Sequence, residues 1–427
     1  MNNIYELRLY DIPLLTFSLS ESGIDGLNAA ILDVGEQYQH LLPLDLKLQD
    51  DDIAPWLRKR VIPKNRAFVE EILKSLDLSA NNTKGIIDVC KGLSLNDSYW
   101  IVPQGFEGKF SEYNLYENRF SEILSLVAYT GIGQTHEAFT TSPELTTNGM
   151  LPKAWRLIGS DGIYLYKGGT SGAANTGNEP YSEYYACQIA QAMGLDHVSY
   201  DLERWKGILA SKCKLFTDID TAFVSIGRVV RSGGLKACMK YYDALGPDFT
   251  ESIRSMLVFD AVIYNEDRHF GNFGILRDNK TGKVISPAPL FDHGLSLFNF
   301  AMPNDISSLD AYSKTRLPAY PDVRFEGIVS EVCGKVQTGQ LRRLIGFTFK
   351  RHPAYNLPEE RLVAIEKHIQ KRVTMLLNLA GEHAKDAAKM PVGKPTLAEQ
   401  IAASKKAADL ENSARLPAQK KRGNVEI

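Results

Sequence analysis

The chain has 427 residues, 44% of them hydrophobic, and a formal net charge of −2. Such a length supports a large core divided into two or three domains, and the near-neutral charge excludes a global pull toward nucleic acid or anionic membrane. No run reaches the ~18 apolar residues of a membrane span, and the start MNNIYELRLYDIP lacks the basic and apolar stretches of a signal peptide, so a cytoplasmic location is expected. Five scattered cysteines, Cys90, Cys187, Cys213, Cys238 and Cys333, form neither a CxxC pair nor a Cys/His cluster and read as reduced thiols.

Alternating YELRLY and LLTFSLS, followed by an expected helical run through HLLPLDLKLQDDDIAPWLRKRVIPKNRAFVEEILKSL, predict an α+β module over residues 1–125. AWRLIGS and GIYLYKGG predict an antiparallel strand pair, and SEYYACQIAQAMG a helix ended by Gly194, within a β-rich lobe at 137–216. Residues 217–385 read as a helical lobe interrupted by one β-hairpin. The remainder, 386–427, has few large apolar residues and is expected to be a flexible tail; its QKKR cluster reads as solvated, so direct nucleic-acid binding is not expected.

The chemistry is concentrated in MLVFDAVIYNEDRHFGNFGILRDNKTGKVISPAPLFDHGLSLF. Ile253, Met256, Leu257, Ala261 and Tyr264 share one helical face, so a core-packed helix delivers the chain into the polar loop NEDRHFGN. FGIL, the turn RDNKTG and KVI then predict a hairpin that returns the chain toward PLFDHG, bringing Asn272 close to Asp292 with Asp267 on the same loop. Two carboxylates and a carboxamide are oxygen ligands suited to Mg²⁺ rather than to zinc or copper. Asp-x₄-Asn followed after a hairpin by Asp-x-Gly repeats the kinase pattern, with Asp267 as the catalytic base and Asn272 and Asp292 as metal ligands. Arg268 is placed with the catalytic residues or as the steadying partner of a carboxylate, while His269 and His293 read as structural.

On the nucleotide side, Ile163, Leu165 and Lys167 share a strand face, and a lysine ending an apolar row needs an anion. Glu183 on the next helix is the expected partner, forming the ion pair that holds ATP phosphates. TTNGMLPKAW adds Gly149 for close approach to phosphate and Lys153 as a second cation, and Leu215 and Phe216 are expected near the adenine.

NEDRHFGNFGIL with PLFDHG resembles the catalytic core of HipA-like serine/threonine kinases, the kinase toxins of bacterial toxin–antitoxin systems; the DRHxxN core also occurs in phosphoinositide kinases. The resemblance covers roughly residues 140–300 and, more faintly, HLLP. It implies a two-lobed protein-kinase-like α+β fold with an extra N-terminal module, ATP and Mg²⁺ as cofactors, and a protein hydroxyl as acceptor, often on the translation machinery. By the same likeness a separate antitoxin protein is an expected partner, and Thr146 and Thr147, beside Gly149, are candidates for self-phosphorylation. The segment GLSLNDSYWIVPQGFEGKFSEYNLYENRF departs from the family, so substrate choice does not carry over. The competing readings are a lipid or small-molecule kinase on the same fold and a non-catalytic kinase-like scaffold partnering a DNA-binding repressor.

Overall fold

The computed structural model describes residues 3–22, 26–48, 53–133 and 141–387. The expected flexible tail lies outside these residues except for 386 and 387, which close the helix Glu359–Ala387; the expected lobe start at 137 also lies outside them.

In β1 (Ile4–Leu9) the period-two pattern buries Tyr5, Leu7 and Leu9 and leaves the alternate residues partly exposed. This strand pairs antiparallel with β2 (Ile12–Ser22), which pairs in turn with β3 (Gly26–Val34). Its other edge takes β4 (Tyr99–Pro103), drawn from the segment that departs from the family. The expected helical run after HLLP is broken into the short helices Ala54–Leu57 and Val69–Lys74: Pro55 falls in the first turn of the first, where its missing N–H costs nothing, and Pro63 lies in the gap between them. The expected boundary at 125 falls inside the helix Glu122–Thr130, capped by Ser121 and stopped by Gly131 at φ +69°. That helix buries Leu124, Val127 and Ala128 in the first core, while Ser125 donates to the Trp155 carbonyl of the next sheet at 2.9 Å.

The second sheet has the order β5 (Lys153–Ile158), β6 (Gly162–Lys167), β8 (Ile208–Lys214), β7 (Tyr200–Trp205), all antiparallel. Between β6 and β7 the helix Glu179–Met193 packs beneath it and ends at Gly194, φ +74°. A third sheet joins β9 (Thr221–Ser225), β10 (Gly274–Asp278) and β11 (Val284–Pro287). The expected hairpin is β10–β11, and β9 is an addition to it. Gly274 permits that pairing, since a Cβ there would lie 2.1 Å from the Val224 carbonyl oxygen.

Below this sheet the helix Pro247–Ile263 is buried all round from Ser255 onward, the axis of a core shared with Phe325–Val332, Lys335–Arg342 and Glu359–Ala387. The N-terminal module is fastened to both other parts. Arg66, fully buried, pairs with Glu144 and donates to the Lys153 carbonyl at 3.0 Å; Ser98 donates to the Ile219 carbonyl at 2.6 Å; and Arg277 donates to the His40 carbonyl at 2.8 Å. All five cysteines are free thiols, and no described helix is long and apolar enough to cross a membrane.

Candidate active site

The helix Pro247–Ile263 ends at Tyr264, whose left-handed φ of 54° turns the chain into the loop carrying Asp267 and Asn272. The loop is held from within: Asp267 donates its N–H to Asn265 Oδ1 at 3.1 Å, and Asn272 Nδ2 donates to the Asp267 carbonyl at 2.9 Å. The β10–β11 hairpin then brings the chain back to Asp292, itself at φ 59°. Left-handed backbone at a non-glycine residue is costly and persists where surrounding bonds fix it. Here Asp292 donates its N–H to the Tyr200 hydroxyl at 3.1 Å, and His293 donates its own to Glu183 Oε2 at 2.6 Å.

Arg268 is the brace between the two arms. Its side chain is 1% exposed and makes two 3.0 Å bonds to Asp260. From the same guanidinium it donates to the carbonyls of Asn272 and Phe291 and to His293 Nδ1 at 2.9 Å. This corrects the placing of Arg268 with the catalytic residues: its donors are spent inside the protein, and it does not line the cleft. His293 is likewise structural. Receiving a bond at Nδ1 leaves its proton on Nε2, and burial with Arg268 alongside holds it neutral, far below the ordinary histidine range. His269 lines the cleft and accepts the Gly271 N–H at 3.0 Å.

Across the cleft, Lys167 ends β6 with its ammonium on Glu183 Oε1 at 2.9 Å and on the Asp292 carboxylate. The expected Lys167–Glu183 pair is therefore present and extended to a third member. Burial alone would lower the Lys167 pKa, but the two carboxylates outweigh it and hold the ammonium charged, well above its usual value. Burial would raise the Asp292 pKa, and Lys167 overrides it in the opposite direction. Asp267, with no such cation in contact among the described residues, is pushed up by burial, a shift that His269 opposes and Asp292 reinforces.

Lys153 opens β5 directly opposite Lys167 in the strand register and donates to the Asn148 carbonyl at 2.8 Å. Burial, with the Lys167 charge beside it, pushes its ammonium down to about 7. Gly149 sits at φ +94°, a backbone state open to glycine and strained for other residues. The two threonines before it are turned inward. Thr146 is buried and donates to the Leu93 carbonyl at 2.7 Å; Thr147 donates to the Pro143 carbonyl at 2.7 Å and accepts the Trp155 indole N–H at 3.0 Å. Both threonines border the cleft, Thr146 buried and Thr147 half-buried, and modification of either hydroxyl breaks the bonds that seat this segment.

Gly149, Lys153, Lys167, Leu215, Phe216, Asp267, Asn272 and Asp292 all border one cavity of about 750 Å³. Its floor is aromatic, with Phe216, Phe223 and Phe291 in mutual contact at centroid distances of 5.3–5.6 Å. Glu183 is completely buried behind Lys167. Sequence reading missed the wall formed by Ser94, Leu95 and Asn96 of the N-terminal module, where the Leu95 carbonyl accepts the Thr217 hydroxyl and Asn96 accepts the Phe223 N–H at 2.7 Å. Among the described residues no three His, Cys, Asp or Glu side chains gather as a metal cluster. Asn272 and Asp292 instead offer a sparse oxygen set, the kind that leaves Mg²⁺ places for phosphate and water.

No protein-family model and no curated protein matches the chain. Solved structures do match it. The HipA toxin–antitoxin complex of Shewanella oneidensis MR-1, solved with HipB and operator DNA, superposes with a TM-score of 0.52 at 13% identity, covering 91% of this chain and 100% of that one. The fold is that of a HipA-like kinase. A second solved structure, the Helicobacter pylori proinflammatory kinase CtkA, matches at a TM-score of 0.44 and 18% identity, covering 55% of this chain and 95% of its own. The HipA-like likeness spans the N-terminal module as well as both lobes, and it is a likeness of fold.

Proposed function

We propose that the chain is an ATP- and Mg²⁺-dependent phosphotransferase acting on a serine or threonine hydroxyl of a protein. The observation that carries this reading is Lys167 joined to both Glu183 and Asp292 in a cleft that also holds Asp267 and Asn272. In the reaction the acceptor oxygen attacks the γ-phosphorus, the bond to the β–γ bridging oxygen breaks and ADP leaves; the hydroxyl proton passes to Asp267. Lys167 and Lys153 counter the phosphate charge, with Gly149 allowing the backbone to approach. Leu215 and the Phe216 cluster take the base. Asn272 and Asp292 would hold Mg²⁺, which when bound neutralises charge on the phosphate oxygens. Arg268 positions both arms without touching the reactants.

Self-phosphorylation at Thr146 or Thr147 belongs to the same proposal, as a switch: a phosphate adds about −1.5 to −2 charges, which on Thr146 cannot return to the buried seat against Leu93 and on Thr147 displaces the bonds to Pro143 and Trp155. Because the HipA of Shewanella oneidensis was solved with HipB and operator DNA, a separate DNA-binding partner is proposed for this chain too.

The test is incubation with γ-labelled ATP and Mg²⁺, offering a protein extract in one arm and phosphatidylinositol in the other. Label on serine or threonine of protein, lost in Asp267→Ala, is the expected result. Label on lipid alone would favour the lipid-kinase alternative, and label on neither would favour a scaffold.

A further inference from the structure

Where β9 leaves the floor of the cleft, the chain forms the single turn Ile226–Val229, held to the catalytic loop by the Gly227 N–H on the Phe270 carbonyl at 2.8 Å. Arg228 on that turn borders the same cavity as Asp267 and His269. Beside it stand Lys59, from the N-terminal module, and Arg231, and all three cations meet around Asp45. The Asp45 carboxylate is poorly matched to them. Its Oδ1 takes the Trp56 indole N–H at 3.0 Å, whereas Oδ2 is buried, accepts no hydrogen bond among the described residues, and faces Arg228 and Lys59 at 3.7 and 3.8 Å. Among the described residues Arg231 reaches only the Asp45 backbone carbonyl.

Two of these cations share one carboxylate and the third meets only a carbonyl, so among the described residues the three have a single anion between them. Arg228 donates to the Lys59 carbonyl at a long 3.4 Å, so most of the five guanidinium donors are unspent among the described residues. Burial pushes the Lys59 ammonium down; Asp45 opposes that shift, and the Arg228 and Arg231 charges add to it.

We propose that Arg228, Lys59 and Arg231 form a docking site for an acidic protein segment, selecting acceptor hydroxyls flanked by Asp or Glu. Guanidinium forks match carboxylates in pairs, and Arg228 lies on the turn bonded to the loop that carries Asp267, so a segment anchored there presents a neighbouring hydroxyl to the base. The triphosphate has its own cations in Lys153 and Lys167. A peptide fits better than nucleic acid, because a net charge of −2 gives no global pull toward a phosphodiester backbone, and three side chains answer one or two carboxylates.

This inference rests on the kinase reading, and its test is kept separate from it. Two labelled peptides with a central serine, one flanked by glutamates and one by lysines, are titrated into the full chain without nucleotide and followed by fluorescence anisotropy at low and high salt. The glutamate peptide is expected to bind about tenfold tighter or more at low salt, to weaken as salt rises, and to lose that preference in Arg228→Glu and in a Lys59→Glu/Arg231→Glu double variant. Equal binding, a preference for the lysine peptide, no binding, or tighter binding of a single-stranded oligonucleotide of equal charge would overturn the docking site. ATP–Mg²⁺ thermal shifts run in parallel. A shift without peptide preference refutes the docking site alone; acidic-peptide binding without a shift refutes the kinase reading and leaves an acidic-segment binding module.

Discussion

Asp292→Ala is expected to abolish both phosphate transfer and metal-dependent nucleotide binding, whereas Asp267→Ala abolishes transfer and leaves nucleotide binding largely intact. The difference follows from what each carboxylate touches. Asp292 pairs with Lys167 and, as a proposed metal ligand, bears on the phosphates; Asp267 sits on the loop with Asn272 and has no cation in hydrogen-bond contact among the described residues. Removing a positioned base costs roughly 10²- to 10⁴-fold in rate. Because burial raises the Asp267 pKa, the acid limb of the wild-type transfer rate should lie above the ordinary aspartate range. Calorimetric titration of both variants with ATP, with and without Mg²⁺, checks the division. Equal loss of binding in the two would contradict it.

Arg268→Ala should be among the most damaging substitutions in the molecule. It strands the Asp260 carboxylate, fully buried and otherwise bonded only through Asn265 among the described residues, and removing one partner of a buried ion pair costs about 3–5 kcal/mol. It also frees the Asn272 and Phe291 carbonyls, so the proposed base and metal arms loosen together. Arg268→Lys separates stability from positioning: it keeps the charge but not the planar fork, so it should recover part of the urea midpoint while transfer stays low. An Arg268→Ala protein with an unchanged urea midpoint, or an Arg268→Lys protein with full transfer, would contradict the brace.

The motifs that were readable from sequence are those fixed by short-range pattern. Lys167 followed from strand alternation, Glu183 from the next helix, and the approach of Asp292 to the Asp267 loop from a hairpin whose turn chemistry is written in RDNKTG. What stayed hidden depends on distant partners. β9 is five residues long and gains its place by pairing with β10, some 50 residues further on, so no local period marks it. The wall at Ser94–Asn96 exists because a separate module packs against the cleft beside Thr217 and Phe223, and nothing in that tripeptide announces it. Arg268 was misplaced by its neighbour Asp267. A signal was available in LVFDAVI, where Asp260 interrupts a buried helix face and requires a cation. The proline-broken run after HLLP shows the opposite error, in which helical composition was followed through residues that cannot continue a helix.

The central claim, that the cleft between β5–β8 and the Asp267–Asp292 arms is a metal-dependent ATP site, is tested most directly by the melting temperature of the wild-type chain with ATP, with Mg²⁺, and with both. Binding to the folded state alone raises stability by RT ln(1 + [L]/Kd), about 2.7 kcal/mol at a ligand concentration one hundred times Kd. The account predicts a clear rise with ATP and Mg²⁺ together, a smaller one with ATP alone, and a rise much reduced in Asp292→Ala. A melting temperature unmoved by ATP and Mg²⁺ together, or moved equally in wild type and Asp292→Ala, would contradict it.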